Sequence, residues 1–283
     1  MTPVAPIGDL LRIEPGSGAV DLSTIDPRST PGTDLGKDGA KAELEQLGDQ
    51  LSDLQKRLFA EGRMGGDRRL LLVLQGMDTS GKGGAVKSVA RQMNPVGLRI
   101  TGFGKPTAQE REHDFLWRIN KAVPAAGLIG VFDRSHYEDV LIVRVHDLVP
   151  PAEWQTRYDR INEWEAGLAD QGVHLLKVML HLSYDEQKER LLARLDDPTK
   201  HWKVNPADID ERAHWAAYRE AYEVALQRCS TDIAPWYVVP SDRKWYRNWA
   251  LSHLLLETLQ GMAPQWPRPD LDFDGMRAAL LAS

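Results

Sequence analysis

The sequence predicts an α/β fold in which a mostly parallel sheet is flanked by helices and carries a phosphate-binding loop. Three observations support this. Short apolar runs that suit buried strands alternate with longer stretches whose apolar residues recur every three or four positions. One run, Leu70 to Leu74, leads straight into the glycine-rich segment Gln75 to Gly84, and another, Gly127 to Phe132, ends on the acid Asp133. A strand, a glycine turn and a helix in that order form the unit that cradles phosphate, and an acid at the end of a second strand completes it.

Taken in order, residues 1–37 are rich in Pro, Gly, Ser, Thr and Asp and lack periodicity, so they read as an extended or mobile N-terminal arm with no chemistry of its own. Leu44, Leu47, Leu51, Leu54 and Leu58 predict an amphipathic helix over 40–60 that delivers the chain to the first strand. A helix over 85–93 follows the glycine turn and stops at Asn94-Pro95, before a strand over 98–103. Next come a helix over 107–122, the strand over 127–133, helices over 137–145 and 151–171, and a strand over 174–182. Ser183, with Glu186 three residues on, caps a helix over 183–195. A polar segment over 196–208, a helix over 206–228, a strand over 236–239 and a helix over 243–259 complete one phosphate-binding domain over 38–262, followed by a tail over 263–283. In a sheet built this way, ligands gather at the C-terminal ends of the strands.

The glycine turn has Gly76, four residues, then Gly81-Lys82, which is the P-loop spacing. Its glycines free backbone N–H groups to face phosphate oxygens, so Gly76, Thr79, Ser80, Gly81, Gly83 and Gly84 are candidate phosphate contacts and Lys82 the neutralising cation. Gly83 stands where a P-loop has the Ser or Thr that holds Mg²⁺, so the metal needs other ligands. Asp78 inside the loop and Asp133 at the neighbouring strand end are the candidates, because two carboxylates hold one or two Mg²⁺ while water and phosphate fill the remaining positions. Alternatively, Asp78 is a turn stabiliser and Asp133 a helix cap. The polar stretch Asp133 to Asp139 reads as an active-site wall, with His136 more easily explained as a hydrogen-bonded structural residue than as a base.

Bulk properties narrow the function. A formal charge of -6 and a pI near 5.8 argue against a nucleic-acid binder with a broad basic surface, so any polyanion site is a local patch. The single cysteine, Cys229, cannot form an internal disulfide and reads as an inert core thiol, and no run is long enough to span a bilayer. A cytoplasmic location is the expectation. Asn120-Lys121-Ala122-Val123 lacks the acid of a GTPase base-reading signature, which argues against a non-catalytic nucleotide switch.

The loop itself, Lys105-Pro106-Thr107, Asp114-Phe115-Leu116-Trp117-Arg118, Asp133 to Leu141, Asp197 to Lys203 and Ala234-Pro235-Trp236-Tyr237 together resemble the polyphosphate kinase 2 family, over roughly residues 38–260. The Ser-His-Tyr-Glu-Asp form at 135–139 resembles its branch that phosphorylates AMP as well as ADP. The resemblance implies a thymidylate-kinase-like P-loop fold with a helical lid over about 140–205, and transfer of a terminal phosphoryl group from inorganic polyphosphate to a nucleotide with Mg²⁺, or Mn²⁺ in its place. By motif position it assigns Asp78 and Asp133 to the metal, Lys82 to the P-loop and Arg134 to phosphate. Lys105, Arg118, Glu138, Arg144, Arg190, Arg194, Lys200 and Lys203 join the candidate phosphate and nucleotide contacts, with Lys87 and Arg91 added to a proposed polyphosphate channel. AMP, ADP and ATP are the expected partners, with guanine nucleotides an alternative; no nucleic acid or membrane is expected, and the relatives suggest a homo-oligomer. An ATP-dependent nucleotide or nucleoside kinase is the other enzymatic reading. Many members carry an acid where this chain has Gly83.

Overall fold

The run Leu70 to Leu74 is wholly buried at the centre of a six-stranded sheet. The computed structural model describes residues 5–283; residues 1–4 of the expected arm lie outside the described residues. The strands are β1 (Arg12–Ile13), β2 (Arg69–Gln75), β3 (Leu98–Gly102), β4 (Ile129–Asp133), β5 (Val173–His181) and β6 (Trp236–Pro240), in the order β1-β6-β5-β2-β4-β3. All neighbours run parallel except β1, which pairs antiparallel with the edge of β6. The register sets Leu74 beside Asp133, so the turn after β2 and the acid ending β4 emerge together at one rim.

The helices are α1 (Ile7–Leu11), α2 (Lys37–Arg63), α3 (Lys82–Arg91), α4 (Ala108–Arg111), α5 (Trp117–Asn120), α6 (Ile142–Val145), α7 (Pro151–Asp170), α8 (Tyr184–Leu195), α9 (Ala207–Glu211), α10 (Trp215–Cys229), α11 (Lys244–Met262) and α12 (Phe273–Ala282). Alternation along β2 sends Leu70, Leu72 and Leu74 into a core closed by α2, α3 and α11, and Leu71 and Val73 into a second core closed by α7 and α10. At Gly62, near the end of α2, a Cβ would fall 2.5 Å from the Gly127 backbone, so the approach of this helix to the turn before β4 requires glycine.

The structure differs from the periodicity in three helices. The expected helix over 107–122 divides into α4 and α5, because the Asp114 carboxylate accepts from the Leu116 N–H and makes a local turn instead of a helical one. The one expected over 137–145 is a 3₁₀ turn over 136–139 followed by α6. That over 206–228 is interrupted by a 3₁₀ turn over 212–214 between α9 and α10. Ahead of α2, Ile7, Leu11 and Leu22 are buried, the Ile7 and Gly8 N–H groups donate to the Glu257 carboxylate, and the Ile25 carbonyl accepts from His181. Beyond residue 262, α12 keeps Phe273, Met276, Leu280 and Leu281 exposed. No helix among the described residues is long and apolar enough to cross a membrane.

Candidate active site

The phosphate loop is held open by hydrogen bonds to side chains from two helices, α8 and α10. Gly76 N–H donates to Tyr222 Oη on α10 (3.0 Å), Gln187 on α8 donates to the Asp78 carbonyl (3.0 Å), and Arg190 on α8 donates to the carbonyls of Thr79 and Ser80 (both 3.0 Å). Thr79 sits at φ 63°, a left-handed conformation that a β-branched residue adopts only where its surroundings impose it. Its hydroxyl and that of Ser80 are buried without a partner among the described residues, which suits donors that face an anion. Lys82 opens α3, and its ammonium donates back to the carbonyls of Gly76 (2.6 Å) and Met77 (3.4 Å). Burial pulls its pKa below the ordinary lysine value, opposed by the carboxylate of Asp78. A Cβ at Gly83 would meet nothing within 4 Å, so the missing hydroxyl reflects the chain's choice of residue rather than a lack of room.

The wall after β4 is anchored from below. His136 and Tyr137 are fully buried and share the carboxylate of Glu165 on α7, at 3.1 Å and 2.8 Å, while Lys177 on β5 donates to that same carboxylate (2.5 Å), to Tyr137 (2.9 Å) and to the Cys229 carbonyl (2.6 Å). Burial alone would raise the Glu165 pKa, but Lys177 and His136 outweigh it and hold it below the ordinary value. Burial lowers the pKa of His136, so its imidazole is a neutral strut at pH 7 rather than a base facing a ligand. Burial pushes the Cys229 thiol up to about 12, as expected of an inert thiol.

Above this anchor, Arg134 stands at φ 66° and pairs with Asp78 Oδ1 at 2.9 Å, joining the two loops across the rim. Burial raises the pKa of Glu138 although Arg134 and Lys82 oppose it. With its carboxamide turned to satisfy both neighbours, Gln75 donates to Glu138 and accepts from Ser135, each at 3.1 Å. Asp133 makes no side-chain hydrogen bond or ion pair among the described residues, yet it lines the same cleft as Asp78 and Lys82.

Two cavities meet at this point. The larger, about 750 Å³, is lined by the loop from Asp78 to Gly84, by Asp133 and by the cations Lys82, Arg134, Arg190, Arg194, Lys200, Lys203, Lys244 and Arg247. The smaller, about 210 Å³, lies on the other side of Asp78 and Arg134 and carries Glu138, Asp208, Glu211, Trp215, Tyr218 and Tyr222. Among the described residues, only Asp78 and Arg134 line both. The segment after α8 crosses the two, with Lys200 and Lys203 in the basic cleft and Asn205, Asp208 and Glu211 in the other.

The structure thus brings Asp78, Lys82, Asp133, Arg134, Arg190, Arg194, Lys200 and Lys203 to one cleft and Glu138 to its neighbour. The loop residues Thr79, Gly81, Gly83 and Gly84 line the first and Gly76 the second, but the remaining basic candidates lie elsewhere. Arg118 donates to the Gly104 carbonyl (2.8 Å) and braces that turn, Arg144 pairs with Glu220 beside Trp154, and Lys105 and Lys87 are exposed outside both cavities. Arg91 lines a groove between α2 and α3. Arg190 lines the cleft but spends its donors on the loop backbone and on Glu186. Sequence reasoning missed Glu165, Lys177, Gln187, Tyr222 and Arg247. For Lys177 the signal was present, as a lysine in the middle of the apolar run 175–180.

Residues 34–267 match the family model for polyphosphate kinase 2. The chain is similar to an AMP/ADP-polyphosphate phosphotransferase of Meiothermus ruber, 47% identical over 92% of this chain and 95% of that one. It is also similar to an ADP-polyphosphate phosphotransferase of Rhodopseudomonas palustris, 42% identical over 77% of this chain and 78% of the relative. The crystal structure of polyphosphate kinase 2 from Arthrobacter aurescens TC1 superposes with a TM-score of 0.95 at 51% identity, covering 99% of this chain and 98% of that one.

Proposed function

Because the chain belongs to the polyphosphate kinase 2 family, with its P-loop kinase-like fold, we propose that it transfers the terminal phosphoryl group of inorganic polyphosphate to a nucleotide, AMP to ADP, ADP to ATP, or both. The observation that carries this reading is the pair of cavities that share Asp78 and Arg134. A polyanion needs a long surface of cations, and the larger cavity has one although the whole protein is acidic. The smaller cavity, with Trp215, Tyr218 and Tyr222, suits the flat, partly apolar acceptor nucleoside. Donor and acceptor then meet end to end, and the transferred group passes beside Arg134.

An oxygen of the acceptor phosphate attacks the terminal phosphorus, the bond from that phosphorus to its bridging oxygen breaks, and the shortened chain leaves. Such transfer passes through a loose transition state, so the protein's task is alignment and neutralisation of the equatorial oxygens. Lys82 and the N–H groups opening α3 hold the donor end, and Arg134 neutralises charge at the junction. The acceptor needs no base, since a phosphate monoester has a second pKa near ~6 and is largely ionised at pH 7.

The residues fit a divalent cation: the Asp133 carboxylate lacks a protein partner among the described residues, Asp78 keeps one oxygen outside its pair with Arg134, and both line the donor cleft. No group of three or more His, Cys, Asp or Glu that could hold a metal occurs among the described residues, which suits Mg²⁺, an ion that takes one or two carboxylates and completes its shell with phosphate oxygens and water. When bound, it would neutralise the phosphate oxygens near the transferred group.

Donor and acceptor specificity tests the reading. Purified protein is offered polyphosphate or ATP with AMP, ADP, GMP or GDP, in Mg²⁺, Mn²⁺ or EDTA, and the products are separated by ion-exchange chromatography. Formation of ADP or ATP from polyphosphate and its loss in EDTA are expected. Phosphorylation of AMP by ATP but not by polyphosphate would overturn the proposal in favour of an ATP-dependent kinase.

A further inference from the structure

Two arginines from different helices lie against the phosphate loop, and they are not equivalent. Arg190 is saturated: Nε donates to Glu186 (2.8 Å), Nη1 to the carbonyls of Thr79 and Ser80, and Nη2 to those of Ser241 (2.6 Å) and Asp242 (3.1 Å). It crosslinks the loop to the end of β6. Arg247 on α11 is only 4% exposed, yet its one hydrogen-bond partner is the neutral Asn248 amide oxygen, 3.1 Å from Nε and 2.8 Å from Nη2. Among the described residues Arg247 has no carboxylate partner and its Nη1 makes no hydrogen bond.

The guanidinium lies directly on the phosphate loop. A Cβ added at Gly81 would land on Nη1, and one at Gly84 would come within 2.9 Å of Nη2. Gly81 is therefore required twice, by its φ of 103° and by the arginine above it. Burial and the like charge of Arg190 lower the pKa of Arg247 to about 10. Lys244, three residues earlier on α11, lines the same wall, and partial desolvation and the charge of Arg190 lower its pKa. An unpaired buried cation is costly unless a ligand supplies the counter-charge. Both residues line the basic cleft and neither lines the acceptor cavity.

We propose that Arg247, with Lys244, is an anion subsite for an inner phosphoryl unit of the polyphosphate donor, away from the unit being transferred, and that it makes donor affinity depend on chain length. This inference rests on the proposed donor. A chain too short to reach from the Asp78 and Arg134 junction to Arg247 gains nothing from the subsite, whereas a longer chain gains a charge-assisted contact.

The test uses the full-length protein as wild type, Arg247→Met, Arg247→Lys and Lys244→Met. Binding of pyrophosphate, tripolyphosphate and long-chain polyphosphate is measured by titration calorimetry, and KM and kcat are measured with AMP as acceptor. The wild type is expected to gain affinity stepwise with chain length. Arg247→Met should lose that step, with long-chain affinity falling roughly 10- to 100-fold, as expected for a hydrogen bond to a charged group. Its pyrophosphate affinity and KM for AMP should shift less than about threefold, and Arg247→Lys should restore part of the step. The unliganded Arg247→Met protein should melt no lower than wild type, because an uncompensated charge has gone. Lys244 is exposed, so Lys244→Met supplies a second reading that does not depend on core packing, in the same direction and smaller. Equal long-chain binding by wild type, Arg247→Met and Lys244→Met would overturn the subsite alone. A wild type that binds no polyphosphate would overturn the donor assignment, and the subsite with it.

Discussion

Arg134→Gly separates the stability role of this residue from its proposed catalytic one, because the two effects differ greatly in size. At φ 66° the arginine backbone occupies a region that costs a residue with a Cβ roughly 1–2 kcal/mol, which glycine does not incur. Against that relief, glycine adds unfolded-state entropy worth about 0.4–1 kcal/mol. The Arg134 and Asp78 side chains are 38% and 35% exposed, so solvent screening limits their pair to about 0.2–1 kcal/mol. These contributions nearly cancel, and the melting temperature should move by no more than about 4 °C. Turnover has no such compensation. In the proposed function Arg134 is a charged donor to the transferred phosphoryl group, and its loss should cost at least about 10²-fold in kcat. The assay pairs thermal unfolding with initial rates of ADP formation from AMP and long-chain polyphosphate at saturating Mg²⁺, with Arg134→Lys alongside to keep the charge but not the planar fork. A kcat within tenfold of wild type would remove Arg134 from the transfer step. A melting temperature lower by about 8 °C or more would mean that its main work is to hold the phosphate loop through Asp78.

Three further outcomes follow from the same geometry. Glu138→Gln should lower kcat by less than about tenfold, because an ionised acceptor phosphate needs no base; steady-state rates beside Asp133→Asn test this, and equal losses would make Glu138 a base. Lys177→Met should destabilise the fold by about 3–5 kcal/mol in urea unfolding, since it strands the buried Glu165 carboxylate, and Lys177→Met with Glu165→Gln should recover much of that loss. Asp139 is raised to about 6 by burial despite its 3.0 Å pair with Arg157, so the native state holds its proton more tightly than the unfolded chain. The resulting stability is present below about pH 4 and is lost as pH rises through about 6, by roughly 3 kcal/mol at most. Asp139→Asn should therefore lie closest to wild type at pH 4 and gain on it up to pH 6 in denaturant midpoints; parallel curves would refute the assignment.

The sheet and its phosphate loop were legible because each left a local pattern. Leu70 to Leu74 is apolar without interruption, as a strand buried on both faces must be, and the spacing from Gly76 to Lys82 is set by the reach of backbone N–H groups round a phosphate. The acid ending β4 was readable for the same reason. Basic residues beyond the loop were legible only in part: Arg194, Lys200 and Lys203 line the donor cleft, but an arginine facing a ligand and one bracing a carbonyl have the same local signature. Arg118 and Arg190 spend donors on Gly104 and on the loop backbone, Arg144 is held by Glu220, and Arg247, which lies on the loop without a carboxylate partner among the described residues, arrives from a helix that follows the last strand. Pairing of β1 with β6 was equally hidden, since two residues show no periodicity and their partner lies more than 200 positions away.

The placement of opposite charges explains how a chain with net charge -6 can handle a polyanion. Glu165 is spent on His136, Tyr137 and Lys177, Asp139 on Arg157, and Asp208 on Arg194, so much of the negative charge near the site is neutralised by the protein's own donors. Among the described residues, Asp78 and Asp133 are the carboxylates that line the donor cleft, beside Lys82 and Arg134. They would repel a bare polyphosphate, so productive binding requires a cation between them and the chain, and removal of that cation should weaken donor binding as well as turnover. A donor affinity measured by calorimetry that does not change between Mg²⁺ and EDTA would show that these acids serve the loop's own geometry and leave the charge balance to Lys82, Arg134 and Arg247.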